Sequence, residues 1–320
     1  MYKNLSPQSV GITGRQSELI ELALTYRYDG LSIDMVQFTE LAEKRGFEPA
    51  FQYLESAKMK IGGFELPVRW QGEEEDYKTD LARLGAIAEM AKKIGATGCH
   101  TTVMVGSDAL PYHENFEFHR SRFSEIADVL APHDIRLGLD FLATADSREG
   151  FQHTFISAPD ALVTLMKTIG VANVGVIVDL WHWRVGGGTV DHLSQLTPEQ
   201  IVMVCVAEVP EDIETHAAQL DQREMPAEPP SEFLVSAMIT LGKMGYDGPV
   251  TPTPAVDSGS GKTRDRIVSA SGKAIERLWM DADITKSGQY DPEAVALVKE
   301  EEAARAAARE AALAKAAASV

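Results

Sequence analysis

Asn173-Val-Gly-Val-Ile-Val-Asp179-Leu-Trp-His182-Trp183 is an apolar run that ends abruptly in an acid, two tryptophans and a histidine. A short run rich in Val and Ile suits a strand buried on both faces, the condition of strands in a parallel sheet. Nothing in a buried strand calls for the polar ending, but the carboxyl-end rim of an α/β barrel does, because barrel active sites are built there. The structural alternative is that Asp179 caps the next helix and His182 packs beside it.

Outward from this strand, similar apolar runs occur at residues 9–12, 31–34, 60–64, 98–103, 136–141, 201–206 and 249–253. Stretches of helical period lie between them, at 16–26, 38–45, 76–94, 116–130, 159–169, 231–244 and 263–278. In 16–26, Leu19, Ile20, Ala23 and Leu24 share one face, the stripe needed to pack on a sheet. Eight apolar runs alternating with helical stretches between residues 9 and 278 predict an α/β fold of (β/α)8 TIM-barrel type rather than an open doubly wound sheet. No G-x-G-x-x-G follows the first run, so no nucleotide cofactor is expected. Ser258-Gly-Ser-Gly261-Lys262-Thr263 resembles the end of a P-loop, but Val256 stands where its first glycine belongs.

The expected organisation is a barrel over 1–280, then a linker and an Ala-rich C-terminal helix over 281–320. Glu301 four residues before Arg305 supports that helix, which reads either as a solvated terminus or as a contact for a homo-oligomer or partner. A length of 320 residues fits a barrel with an appendage. With 30 basic and 48 acidic residues the formal charge is -18, a field that repels nucleic acid and anionic membrane surfaces. No apolar run is long enough to span a bilayer, and the first residues lack a signal's apolar core, so a cytoplasmic location is expected. Cys99 and Cys205 have neither disulfide-framework nor metal-knuckle spacing.

A second acid closes the fifth run, in Arg136-Leu-Gly-Leu-Asp140-Phe141, one strand from Asp179. Two adjacent carboxylates suggest a metal site or an acid/base pair, and without a cation between them one pKa should rise. Other polar residues fall in rim loops: His100 in Gly98-Cys-His100, His113 in Tyr112-His113-Glu114, and His153 in Phe151-Gln-His153. Trp181 and Trp183 offer apolar walls on which a sugar ring stacks. Arg223, in Gln222-Arg223-Glu224-Met225-Pro226, offers a rigid fork suited to an oxyanion; the alternative is an ion pair with Asp221 or Glu224.

The strand endings at Asp140 and Asp179, the 222–226 segment and Gly245-Tyr246-Asp247-Gly248-Pro249-Val250 together resemble the xylose-isomerase-like TIM-barrel family of sugar and sugar-phosphate isomerases and epimerases. That family also includes an inosose dehydratase and a DNA-repair endonuclease branch, which the acidic charge disfavours here. The resemblance covers roughly residues 8 to 278 and implies one divalent cation (manganese, cobalt, magnesium or zinc) held by Glu, Asp, His and Glu at four successive strands. On this chain those positions carry Asp140, Asp179, Cys205 and Thr253, so one ligand is retained unchanged. The donors left for a metal are Asp140, Asp179, His182 and Glu208. A hydroxyl at Thr253 is no base near neutral pH, so a two-carboxylate proton shuttle across a metal is lost. The resemblance implies a small-molecule sugar or sugar-phosphate ligand, with Asp140, Asp179 and His182 as catalytic candidates. His153, Arg223, His100, His113 and Trp181 are the substrate-binding candidates. Three activities stay open: isomerisation or epimerisation by proton transfer next to a carbonyl, a sugar lyase or dehydratase, and a non-catalytic carbohydrate-binding or subunit barrel.

Overall fold

The strands of this chain are β1 (Tyr2–Leu5), β2 (Gly30–Leu31), β3 (Lys60–Ile61), β4 (Phe64–Glu65), β5 (Gly98–Thr102), β6 (Gly106–Ser107), β7 (Arg136–Asp140), β8 (His153–Thr154), β9 (Val174–Asp179), β10 (Ile201–Val206) and β11 (Pro249–Pro252). The computed structural model describes residues 1–256 and 261–317. Nine strands form one curled parallel sheet in the order β3-β2-β1-β11-β10-β9-β7-β5-β4, a TIM-barrel-like α/β fold. β6 and β8 form a separate antiparallel pair in the loops after β5 and β7.

β3 and β4 are two halves of one barrel strand. Only Gly62 and Gly63 separate them, and β3 pairs with β2 while β4 pairs with β5. The gap is bridged by Gly62 N–H donating to Leu31 O at 3.0 Å and Ile33 N–H to Gly63 O at 3.2 Å. Gly62 is needed because a Cβ there would sit 1.8 Å from Oδ1 of Asn4. Asn4 is fully buried, and its amide donates to Ser32 Oγ and Thr251 Oγ1, each at 2.9 Å, so it has nowhere to swing. Gly62→Ala is therefore expected to destabilise the fold by about 1–3 kcal/mol, the usual cost of overpacking. A urea midpoint equal to that of the unmodified protein would contradict this close approach.

The helices are α1 (Gln16–Thr25), α2 (Met35–Arg45), α3 (Phe47–Ser56), α4 (Glu74–Lys93), α5 (Tyr112–Leu130), α6 (Pro159–Ile169), α7 (Leu180–Val185), α8 (Val190–Ser194), α9 (Glu232–Lys243), α10 (Arg264–Asp281) and α11 (Pro292–Ala317). α6 shows how sequence makes one: Pro159 opens it, Leu162, Leu165, Met166 and Ile169 recur at helical spacing and are buried, and Gly170 ends it at φ 69°. No helix among the described residues is long and apolar enough to cross a membrane.

The expected first strand at 9–12 is a turn, with Val10 N–H bonded to Ser6 O and Gly11 at φ 67°. The first barrel strand is instead Tyr2–Leu5, hidden in the sequence by two polar residues that the fold buries with partners. Lys3 pairs with Glu276 of α10, and Asn4 is held as above. Helix α2 starts at Met35, ahead of the expected residue 38, because Asp34 accepts from Gln37 N–H at 3.0 Å and caps it. α3, α7 and α8 have no counterpart among the expected helical stretches.

Past α10, Ile284 and Tyr290 form an isolated bridge, and the Met1 amine donates to Gly288 O at 2.8 Å. α11 is pinned at its start by buried Val295 and by ion pairs Lys299–Asp283 and Lys286–Glu302. Ser258 to Ser260 of the Gly-Lys-Thr loop lie outside the described residues.

Candidate active site

Strands β7, β9, β10 and β11 are neighbours, so their carboxyl ends place Asp140, Asp179, Cys205 and Thr253 side by side. Cys205 lies opposite Asp179 in the ladder, and Thr253 N–H donates to Val206 O at 2.9 Å. The rim opens onto a cavity of about 1190 Å³. Its polar wall includes Glu65, His100, Asp140, Asp179, His182 and Arg223, and α2 contributes Met35, Phe38 and Leu41 to an apolar wall.

Arg223 enters from the loop after β10 and is the centre of the cluster. Its Nη2 donates to Asp179 Oδ2 and to Thr253 Oγ1, both at 2.6 Å, and its Nε donates to Thr253 O at 2.9 Å. The ion pair is buried, with side-chain exposures of 11% for Arg223 and 4% for Asp179. The guanidinium also lies 5.2 Å from the Trp181 ring centre. The ion pair that was the alternative to a substrate-binding Arg223 forms with Asp179 rather than with Asp221 or Glu224.

Asp179 does two things at once. Oδ2 holds Arg223, while Oδ1 accepts from the N–H groups of Trp181 and His182, each at 3.1 Å, and caps α7. Burial opposes its ionisation, but the Arg223 charge and these hydrogen bonds outweigh that and hold its carboxyl below the usual range. Asp140 goes the other way. Burial, and then the Asp179 charge, push its carboxyl well above the usual carboxylate range. Phe141 N–H donates to its Oδ1 at 2.8 Å, too little to reverse the shift. Two acids one strand apart are therefore shifted in opposite directions, with one raised as expected for adjacent carboxyls without a cation between them.

His182 is buried, and desolvation lowers its pKa to about 4, so it is neutral near pH 7. Its Nδ1 accepts from Ala143 N–H at 3.2 Å, which leaves the ring proton on Nε2. The imidazole is an N–H donor in this state. His100 also lines the cavity, and desolvation brings its pKa to about 4.

Several expected site residues are elsewhere. Glu208 accepts from Ala227 N–H and Ser231 N–H, both at 2.7 Å, and exchanges backbone bonds with Glu224 at 2.8 and 3.0 Å. Its carboxylate clamps the loop that carries Arg223, and so is spent before it could ligate a metal. Trp181 is fully buried beneath Arg223 and does not line the large cavity. His153 is drawn into the β6–β8 pair opposite Ser107, and His113 is exposed on the first turn of α5; neither lines that cavity. Glu65 was overlooked, although it is an acid closing a strand and so carries the same signal as Asp140.

Residues 20–278 match the Xylose isomerase-like TIM barrel family. The chain belongs to this family. It is similar in structure to a xylose isomerase domain protein from Alicyclobacillus acidocaldarius, with 24% identity, TM-score 0.78, and 88% of this chain and 99% of that one covered. The IolI protein, solved with a bound zinc atom, is 15% identical with TM-score 0.73 over 88% of this chain and 98% of its own. A D-psicose 3-epimerase solved with D-fructose is 12% identical with TM-score 0.69 over 88% and 99%. At such identities the likeness is one of fold. No curated protein matches the chain. The family includes sugar epimerases, isomerases and dehydratases.

A divalent metal of the kind held by the zinc-bound relative does not suit this donor set. The Asp179 oxygen that faces the cluster is taken by a cation already, Arg223. Burial, reinforced by Asp179 and Asp140, holds the Cys205 thiol well above its usual pKa and so protonated, whereas a thiol ligates as thiolate. Thr253 offers a neutral hydroxyl, already bonded to the guanidinium. Among the described residues, no group of three or more His, Cys, Asp or Glu is arranged to hold a metal ion.

Proposed function

We propose that this family member is an enzyme that moves a proton at a carbon next to a carbonyl in a small sugar or sugar-like polyol, in isomerase or epimerase fashion. The observation that carries the reading is the opposite environments of two neighbouring rim acids: burial pushes the Asp140 pKa up, while the Arg223 ion pair at 2.6 Å holds that of Asp179 down. Environments that push two titratable groups apart are how barrels assign an acid and a base. In this reading Asp140 takes the proton as carboxylate and returns it as acid. The His182 N–H and the Arg223 guanidinium stabilise the enediolate oxygen as charge develops on it. The apolar α2 wall keeps bulk water from the developing charge.

Dehydration is the second reading, favoured by the same asymmetry. Elimination needs one base and one acid rather than a symmetrical pair, and one raised carboxyl beside a neutral N–H donor provides that. The experiment is turnover against a panel of keto sugars, aldo sugars and polyhydroxylated cyclic ketones, with products separated by chromatography. Epimeric or isomeric products support the first reading, and an unsaturated product supports the second. Ligand-induced thermal stabilisation with no product from any compound would leave a binding barrel and sink both.

A further inference from the structure

The ends of adjacent strands β7 and β9 bring Asp140 and Asp179 into one desolvated cluster, where an ionised carboxylate needs a positive charge beside it. A relative of the same fold was solved with a bound zinc atom. We propose that Arg223 is a tethered replacement for that cation, so that the cluster is complete without a divalent metal and excludes one. The inference concerns what neutralises the site. It stands whether the barrel catalyses a reaction or only binds a ligand.

Placement carries the argument first. The guanidinium bridges the ends of β9 and β11 through Asp179 and Thr253, spanning two of the four strand ends that the metal-ligand pattern would use. The other two are Asp140, on β7, and Cys205, on β10. Two departures from the pattern, at 253 and 205, suit a guanidinium. A glutamate at 253 would add a further anion that one positive charge cannot balance. Thr253 instead supplies a hydroxyl and a carbonyl oxygen, both accepting from Arg223. Cys205 contributes a small neutral thiol beside Asp179 where an imidazole would need room.

The guanidinium is also anchored. Glu208 ties its loop through Ala227 and Ser231, Glu208 and Glu224 exchange backbone bonds, and Ala255 N–H donates to Arg223 O at 2.8 Å. Trp181 lies beneath it. To admit a metal, the chain would have to break a buried ion pair and leave the arginine charge uncompensated in a dry site.

The test is chelator treatment of the purified protein, then calorimetric titration with Co²⁺, Zn²⁺ and Mn²⁺, with elemental analysis before and after. The unmodified protein is expected to show no stoichiometric metal and no saturable binding. The double variant R223M/T253E, which removes the cation and restores a carboxylate, is expected to bind one equivalent of Co²⁺ saturably, roughly 100-fold or more above the weakest affinity the titration can detect, with the visible absorption of coordinated cobalt. One equivalent of metal in the unmodified protein, lost in Asp179→Asn, would overturn the proposal. So would a folded double variant, checked by circular dichroism, that binds cobalt no better. If the double variant fails to fold, the titration of the unmodified protein decides alone.

Discussion

Asp140→Asn is expected to lower kcat by about three orders of magnitude while leaving the fold nearly as stable, since a positioned acid/base group contributes roughly 10²–10⁴-fold. The substitution is nearly isosteric, and the amide oxygen still accepts from Phe141 N–H. Because burial already favours the uncharged carboxyl, the amide removes little charge from the folded state. Asp179→Asn is the contrasting variant: it strands the Arg223 charge in a buried site and is expected to cost about 3–5 kcal/mol of stability. The two variants thus separate a residue that reacts from one that holds the site together. The pH profile has a sign as well. If Asp140 acts as carboxylate, kcat/KM rises with pH up to its raised pKa and then levels, and that limb disappears in Asp140→Asn. Full turnover by the Asp140 variant on a substrate of the unmodified enzyme would end its assignment as the acid/base.

Acidification is expected to cost the protein most of its stability before pH 4. His100, His119 and His182 each have a pKa lowered from 6.5 to about 4, mainly by burial. The unfolded chain takes up these protons near pH 6.5, and the folded chain only near 4. The unfolded state therefore binds more protons throughout that window, and stability falls as pH falls. Each histidine contributes about 3 kcal/mol across it, so three together approach the roughly 5–15 kcal/mol that a domain has to lose. Asp140 opposes this, since a raised carboxyl pKa favours the fold as pH drops. Asp179, with its lowered pKa, adds to the loss only below the ordinary carboxylate pKa. Urea midpoints at pH 7.5, 6 and 5 should fall steadily. The fall should be shallower in His119→Gln, where a buried imidazole outside the cavity is removed. A midpoint that is flat over this range would contradict the buried neutral histidines.

Much of this was legible in the chain. β10 matches its expected span at 201–206 and α6 its span at 159–169, because each is apolar at the period of its element and bounded by a Pro, Gly or capping signal. β1 was not legible, since Lys3 and Asn4 read as surface residues until Glu276, Ser32 and Thr251 are seen to satisfy them. The acids at strand ends stood out for the complementary reason, a charged residue closing an apolar run. What closes on them could not be read. Arg223 lies 44 residues from Asp179 in the chain, and only the curl of the sheet and the Glu208 clamp bring them to contact. Loop histidines were the poorest guide. The course of a loop depends on pairings such as Ser107 with His153, which have almost no sequence signature.

The measurement that bears most directly on a metal-free proton-transfer site is hydrogen exchange between solvent and substrate. Chelator-treated protein in D₂O, incubated with the sugar panel and followed by proton NMR, is expected to place deuterium on the carbon next to the carbonyl of at least one compound. Exchange should persist without added metal and be lost in Asp140→Asn. Saturable binding of a compound without any deuterium entering it would contradict the account, as would exchange that appears only when a divalent metal is restored.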